Sequence, residues 1–147
     1  MIVDLDIDYD IDLDRTAAIM LRSPQVVALG LKLVSIERWS VAMEAPWRED
    51  LVGDPDREII AGGVVTTLLD HACSTSLMTV KKGGGPTLDL RVDYMRPAAA
   101  RMGVFAEAHC YKLTRNIAFV RASAWDENPT DPIATAQAAF ALRERRP

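Results

Sequence analysis

The chain has 147 residues and a mass of 16.2 kDa, enough for one domain around one core. Hydrophobic residues make up 49% and charged residues 26%, a globular composition rather than a disordered one. The formal net charge of −4 argues against sequence-independent binding to nucleic acid, and no apolar run approaches the ~20 residues that span a bilayer.

The first segment, MIVDLDIDYDIDLD, carries six aspartates and no early Lys or Arg, which predicts no secretory signal. Its alternation of Asp with Ile, Leu or Tyr has the period of an extended segment. The charge density disfavours a central strand, so an acidic arm is expected, solvated or partly docked. In LDRTAAIMLRSPQVVALG, Asp14 is the candidate N-cap of a short helix through Ala17, Ala18, Met20 and Leu21, which Pro24 stops or kinks. Gly30 closes this region, so residues 1–30 are expected as arm and short helix, and 31–147 as the main domain.

LKLVSIERWSVAMEAP reads as one long strand with a slip of period, a bulge, near Arg38 or Trp39. A charged loop follows from Pro46 to Pro55. AGGVVTTLLDHACSTSLMTV is the strong helix candidate. It is apolar on most of its circumference, which predicts a buried helix. KKGGGPT follows that helix and precedes a strand, the reverse of a phosphate cradle. Gly83, Gly84 and Gly85 are therefore expected as a helix C-cap and turn.

Four alternating segments come next: PTLDLRVDYMRPA, GVFAEAHCYKL, NIAFVRASAWDE and PIATAQAAFALRE. In the first, alternation places Leu88, Leu90, Val92 and Tyr94 on one face and Thr87, Asp89, Arg91 and Asp93 on the other. Short links imply an antiparallel sheet. Alanines 106, 108, 118, 122, 124, 134, 136 and 138 fall in these strands, where alanine is normally depleted. Small side chains let the apolar helix approach closely, so an α+β fold is predicted: a curved antiparallel sheet wrapped around one central helix. On the opposite face Phe105, Tyr111, Phe119 and Trp125 would be partly bare, which predicts a subunit interface or cover by the arm.

Two cysteines, Cys73 and Cys110, make no disulfide framework and point to a reducing, cytoplasmic setting. Two histidines, His71 and His109, without ligand spacing, predict no protein-bound metal. Chemistry concentrates on the helix. Gly62 and Gly63 open it, where unpartnered N–H groups and the positive dipole end suit an oxyanion; a plain loop-to-helix turn is the other reading. Asp70 sits mid-helix, where a carboxylate must be paired, hydrated or facing a pocket. Pairing with Thr67 or with a neighbouring chain is the structural alternative. Gly62 and Asp70 are eight residues apart, roughly 12 Å along one helix. A reacting carbonyl lies about 3 Å from both its oxyanion donor and its attacking group. If both groups serve one substrate, they come from different subunits, with two sites per two-fold dimer. His71 points about 100° away from Asp70 and is expected as a core histidine or a hydrogen-bonding one.

The run DPDREIIAGGVVTTLLDHA, then TLDLRVDYMRPA, a hairpin with Arg-Asn and a final alternating strand resemble the PaaI-like branch of the hotdog-fold acyl-CoA thioesterases, over about residues 31–142. The resemblance implies a hotdog fold and hydrolysis of acyl-CoA to free acid and CoA. No cofactor is implied, coenzyme A being part of the substrate. The implied partners are this small-molecule substrate and a second copy, as a homodimer or dimer of dimers, with neither nucleic acid nor membrane. Gly62, with Gly63, would supply the oxyanion-hole N–H. Asp70 would be nucleophile or general base, and Thr87 the hydroxyl that orients water or carboxylate. Arg115 and Asn116 would meet the CoA nucleotide, with Arg96 a second candidate. The family's His-Gly-Gly is here Ala61-Gly62-Gly63, which motivates an alternative: a hotdog protein that binds acyl-CoA without cleaving it.

Overall fold

The computed structural model describes residues 7–142. Helix α1 (Leu13–Leu21) and helix α2 (Pro24–Leu29) lead into strands β1 (Lys32–Glu37) and β2 (Ser40–Ala45). A 3-10 turn (Glu49–Leu51) precedes the short pair β3 (Val52–Asp54) and β4 (Ile59–Ile60). The long helix α3 (Gly62–Met78) follows, then β5 (Thr87–Tyr94), β6 (Val104–Leu113), β7 (Ile117–Trp125) and β8 (Ala134–Ala141). The main sheet has the order β1-β2-β6-β7-β8-β5, antiparallel throughout, with β1 and β5 at its edges.

α3 packs on the middle of this sheet. Its Val65, Leu68, Leu69, Ala72, Cys73 and Leu77 are buried. The strand alanines are buried opposite them: Ala106, Ala108, Ala118 and Ala124 have no exposed surface. Deleting side-chain bulk from the sheet is what brings the helix close, and the hotdog architecture follows from that. No described helix is long and apolar enough to cross a membrane.

Three local expectations are corrected. The long strand is two strands folded back at Arg38-Trp39, with Glu37 paired to Ser40. Trp39 takes a left-handed φ of 77°, unusual for a bulky residue, and is held there by contacts at both ends. Its N–H donates to Thr79 Oγ1 at 2.8 Å, and its carbonyl accepts from Cys110 N–H at 2.9 Å. The N-cap of α1 is Asp12, which accepts from Arg15 N–H at 3.1 Å, and Asp14 lies inside the first turn. The glycines after α3 do not cap it. The helix ends at Thr79, and Gly83 and Gly84, with φ of 77° and 51°, turn the chain into β5.

Residues 1–6 of the acidic arm lie outside the described residues. From Asp8 onward the arm docks on the far end of α3. Asp8 N–H donates to Val80 O, Asp8 Oδ2 accepts from Lys82 N–H, and Arg38 donates to the carbonyls of Asp8 and Tyr9. Met20, Val26 and Leu31 join the same core cluster as α3. The described arm therefore does not cover the outward aromatics. Phe105, Phe119 and Trp125 stay half-buried and Tyr111 exposed.

Candidate active site

The start of α3 is shaped by close backbone approaches. Ala61 is the N-cap and supplies no capping side chain, so the first N–H groups of the helix, on Gly62 and Gly63, take no partner from it. Ala61 N–H is itself tied to Leu51 O at 2.9 Å. A Cβ on Gly53 would stand 2.8 Å from the Ala61 Cα, so only glycine lets β3 pass this point. The preceding loop is pinned by Arg101, whose guanidinium grips the Glu58 carboxylate and lies 5.4 Å over the Trp47 ring. Gly62 and Gly63 are both exposed, and nothing lies within 4 Å of a Cβ built on Gly63. The result is an open, positively polarised helix end.

Asp70, two turns on, faces β5. Thr87 Oγ1 donates to Asp70 Oδ1 at 2.9 Å. Thr67 does not pair with Asp70; its hydroxyl donates to Gly63 O at 2.9 Å. Strict alternation puts Thr87 on the outer face of β5, and the structure reverses this. A bulge between Thr87 and Asp89 shifts the register, so Thr87 turns to the helix while Leu88 becomes exposed.

One contributor is absent from the expected set. Tyr94, at the other end of β5, donates its hydroxyl to Gly62 O at 2.7 Å and also contacts the Thr66 hydroxyl. Thr66 in turn donates to Gly62 O at 3.3 Å. The signal was in the sequence: an aromatic residue with a polar tip, eight positions along from the proline before β5, on a strand flanking the helix.

The remaining candidates separate by position. Arg115 and Asn116 form the exposed β6–β7 turn. Asn116 O accepts from Leu142 N–H and Pro86 O accepts from Ala141 N–H, so this turn lies at the Thr87 end of the sheet, with Asp70. Arg96 is engaged elsewhere. It makes two bonds to Asp126, at 2.7 and 3.0 Å, and its Nε lies 3.1 Å from Asp131 Oδ2. The Arg96 hydrogen bonds, aided by Ala99 and Glu127 N–H, hold the Asp126 carboxyl well below the usual carboxylate range against the opposing effect of burial. That is a brace between loops rather than a free cation.

His71 bonds to Gln25 on α2 at 2.8 Å, and burial lowers its basicity more than Asp70 raises it. Burial also pushes the Cys110 thiol up to about 12 and the Cys73 thiol higher, so neither offers a thiolate. Among the described residues no group of three His, Cys, Asp or Glu side chains could hold a metal ion.

Within one chain, then, Asp70 with Thr87 and Gly62 with Tyr94 mark opposite ends of the α3–β5 contact. A family model described as the thioesterase superfamily matches residues 58–133, which contain both ends. Among curated proteins none matches. A solved protein of Pseudomonas aeruginosa is 32% identical, covering 89% of this chain and 98% of its own, with a TM-score of 0.80. A mutant of the phenylacetic acid degradation protein PaaI from Thermus thermophilus is 26% identical, covering 82% and 100%, at a TM-score of 0.73. Thioesterase superfamily member 2 from Mus musculus, 21% identical over 89% and 97% at 0.75, shares the fold. The polarised helix end, the hydroxyl-held aspartate and the sheet around one helix thus sit in a chain that belongs to the thioesterase superfamily, among its PaaI-like hotdog members.

Proposed function

We propose that the protein hydrolyses acyl-CoA thioesters to free acid and CoA, at sites that combine Asp70 of one copy with the Gly62 end of α3 in a second copy. The observation that supports this most directly is the Thr87–Asp70 hydrogen bond. It anchors one carboxylate oxygen and leaves the other for chemistry.

The two halves of the site meet through β5. This strand is a sheet edge, and Leu88, Tyr94 and the following Met95 are each more than half exposed, at 58%, 55% and 58%. An exposed apolar edge strand invites pairing. Antiparallel pairing of two β5 edges about a two-fold axis sets the Thr87 end of one copy beside the Tyr94 end of the other. Asp70 then approaches the partner copy's helix start, which resolves the roughly 12 Å separation within one helix. Two equivalent sites per homodimer follow.

In such a site the thioester carbonyl accepts from Gly62 N–H, with Gly63 leaving the approach open. Charge developing on that oxygen is stabilised by a donor already in place. Asp70 either attacks the carbonyl carbon, expelling CoA thiolate and leaving a mixed anhydride for water to cleave, or takes a proton from an attacking water and returns it to the leaving thiolate. Both routes end in acid and thiol. Arg115 and Asn116, exposed at the Asp70 end, would meet the nucleotide of CoA. Arg96, braced by two aspartates, is not assigned to the substrate.

The reading is tested by following thiol release across a panel of aromatic and aliphatic acyl-CoAs. Turnover that disappears in a folded Asp70→Ala variant supports it, and unchanged turnover overturns it. A binding protein without catalysis is the second reading, favoured by Ala61, which brings no polar side chain to the helix start. Tight calorimetric binding of a nonhydrolysable acyl-CoA, with no product from the natural ester, would select it.

A further inference from the structure

Among the described residues three that are not glycine take a left-handed φ: Trp39, Glu58 and Arg101. Trp39 makes the β1–β2 turn. The other two are bonded to each other at the approach to α3. Glu58, with a φ of 54°, stands just before β4, and Arg101, with a φ of 57°, lies in the link between β5 and β6. A residue with a Cβ keeps this conformation only where its surroundings over-determine it, and such positions gather where geometry serves function.

The surroundings of Glu58 hold both its backbone and its side chain. Its carbonyl accepts from the Trp47 indole Nε1–H at 2.9 Å and from the Arg101 N–H at 3.0 Å. Its carboxylate accepts from Arg101 Nε at 2.8 Å and from a second guanidinium nitrogen. The same guanidinium lies over the Trp47 ring. The Arg101 hydrogen bonds hold the Glu58 carboxyl below its ordinary range, so this clasp is charged at neutral pH. Gly103 lets the Arg101 link come so near: a Cβ there would stand 3.0 Å from Ala45 O and 3.3 Å from Trp47 N.

Between Glu58 and Gly62 the chain has little slack. Upstream, the Asp54 carboxylate accepts from the N–H groups of Asp56 and Arg57, at 3.1 and 3.2 Å, and closes the turn. Downstream, Ile59 and Ile60 pair with β3, and Ala61 N–H donates to Leu51 O. Ala61 O accepts from Val64 N–H at 3.0 Å. The peptide joining Ala61 to Gly62 is trans, so with its oxygen tied into the helix its N–H points away from it. Ala61 adds no side-chain bond here, and Tyr94 holds the next peptide, through Gly62 O. The tilt of the Gly62 N–H is therefore left to whatever fixes the chain that enters it.

We propose that the clasp of Trp47, Glu58 and Arg101 sets this tilt, which makes Glu58 and Arg101 positioning residues for the thioester carbonyl bound at Gly62. The proposal rests on the thioesterase reading. Neither side chain touches the reacting atoms. Both act through the short backbone of β4, and a donor displaced by a fraction of an ångström loses part of its worth in the transition state.

Arg101→Gln and Glu58→Gln each remove the charged clasp, and two measurements follow them. In protein carrying isotope-labelled glycine, NMR gives an amide signal for each of the eight glycines. The signals of Gly62 and Gly63 should shift and exchange faster with solvent, while those of Gly83, Gly84 and Gly85, beyond the other end of α3, stay in place. In steady-state hydrolysis of one acyl-CoA, kcat should fall about tenfold with KM nearly unchanged. The double variant should fall no further than either single one, because the two residues act as a unit. A role confined to stability would lower the melting temperature and leave kcat and the glycine signals alone. An unmoved Gly62 signal in the folded variants, or an undiminished kcat, overturns the proposal. A wild type that releases no thiol overturns the thioesterase reading instead, and the glycine signals then decide the clasp by themselves. Should neither variant fold, Trp47→Phe keeps a ring under Arg101 and removes the Nε1–H bond to Glu58, with the same shifts expected and their absence overturning.

Discussion

The Tyr94 hydroxyl donates to the Gly62 carbonyl at 2.7 Å, and its ring lies 3.4 Å from where a Cβ on Gly62 would stand. One side chain thus sets the position of the helix end from the last residue of β5. The proposed oxyanion donor is the N–H of the same Gly62. Tyr94→Phe keeps the ring and removes the bond, worth about 1 kcal/mol. The expected outcome is a several-fold lower kcat with KM nearly unchanged, read from steady-state hydrolysis of one acyl-CoA. A change in KM alone would assign Tyr94 to ground-state binding instead.

Asp70→Asn is nearly isosteric and still accepts the Thr87 bond, so the fold should hold. Loss of the nucleophile or base should lower kcat by about 100-fold or more. A stability curve run beside the kinetics separates chemistry from folding.

Thr87→Val should leave Asp70 present but unanchored. A drop in kcat of about tenfold is expected, from loss of one charge-assisted hydrogen bond of about 1.5 kcal/mol. Thr87→Ser should recover most of it. Recovery by serine but not by alanine would assign the effect to the hydroxyl.

The Arg96–Asp126 brace predicts a pH dependence of stability. Because Arg96 depresses the Asp126 pKa in the folded state, unfolded chains bind that proton more readily. The stabilisation is whole above the ordinary carboxylate value of about 3.9 and is lost as acid passes below it. Asp126→Asn should cost about 2–3 kcal/mol at neutral pH. The deficit should narrow in urea titrations near pH 3, a value of about one unit below that ordinary pKa. A deficit that stays constant with pH would contradict the brace.

Much of the fold was legible because two signals agreed. The apolar circumference of α3 demanded burial, and the alanine-rich strands offered the surface to bury it on. The hairpin at Arg38-Trp39 was hidden because no Gly or Asn marks the turn; Trp39 is held in its conformation by Thr79 and Cys110, contacts remote in sequence. The resemblance singles out Thr87, yet alternation places it on the wrong face, since a bulge leaves no trace in a period-two pattern. The resemblance makes Arg96 a second candidate for the CoA nucleotide; its partners, Asp126 and Asp131, lie far along the chain, where no local pattern marks the brace. In the sequence Tyr94 shows only as the end of an alternating strand, because its bond to Gly62 depends on how α3 crosses β5.

Complementation between two inactive variants tests the shared site most directly. Gly62 is the first helical residue, where proline is tolerated, and Ala61 already has the extended backbone that precedes proline. Gly62→Pro therefore removes the N–H donor and spares the helix. It is refolded in equal amounts with Asp70→Ala. If each site takes its aspartate from one copy and its donor from the other, half of the dimers are hybrids with one intact site, and roughly a quarter of the wild-type rate returns. A mixture as inactive as its two components would contradict a site built from two copies.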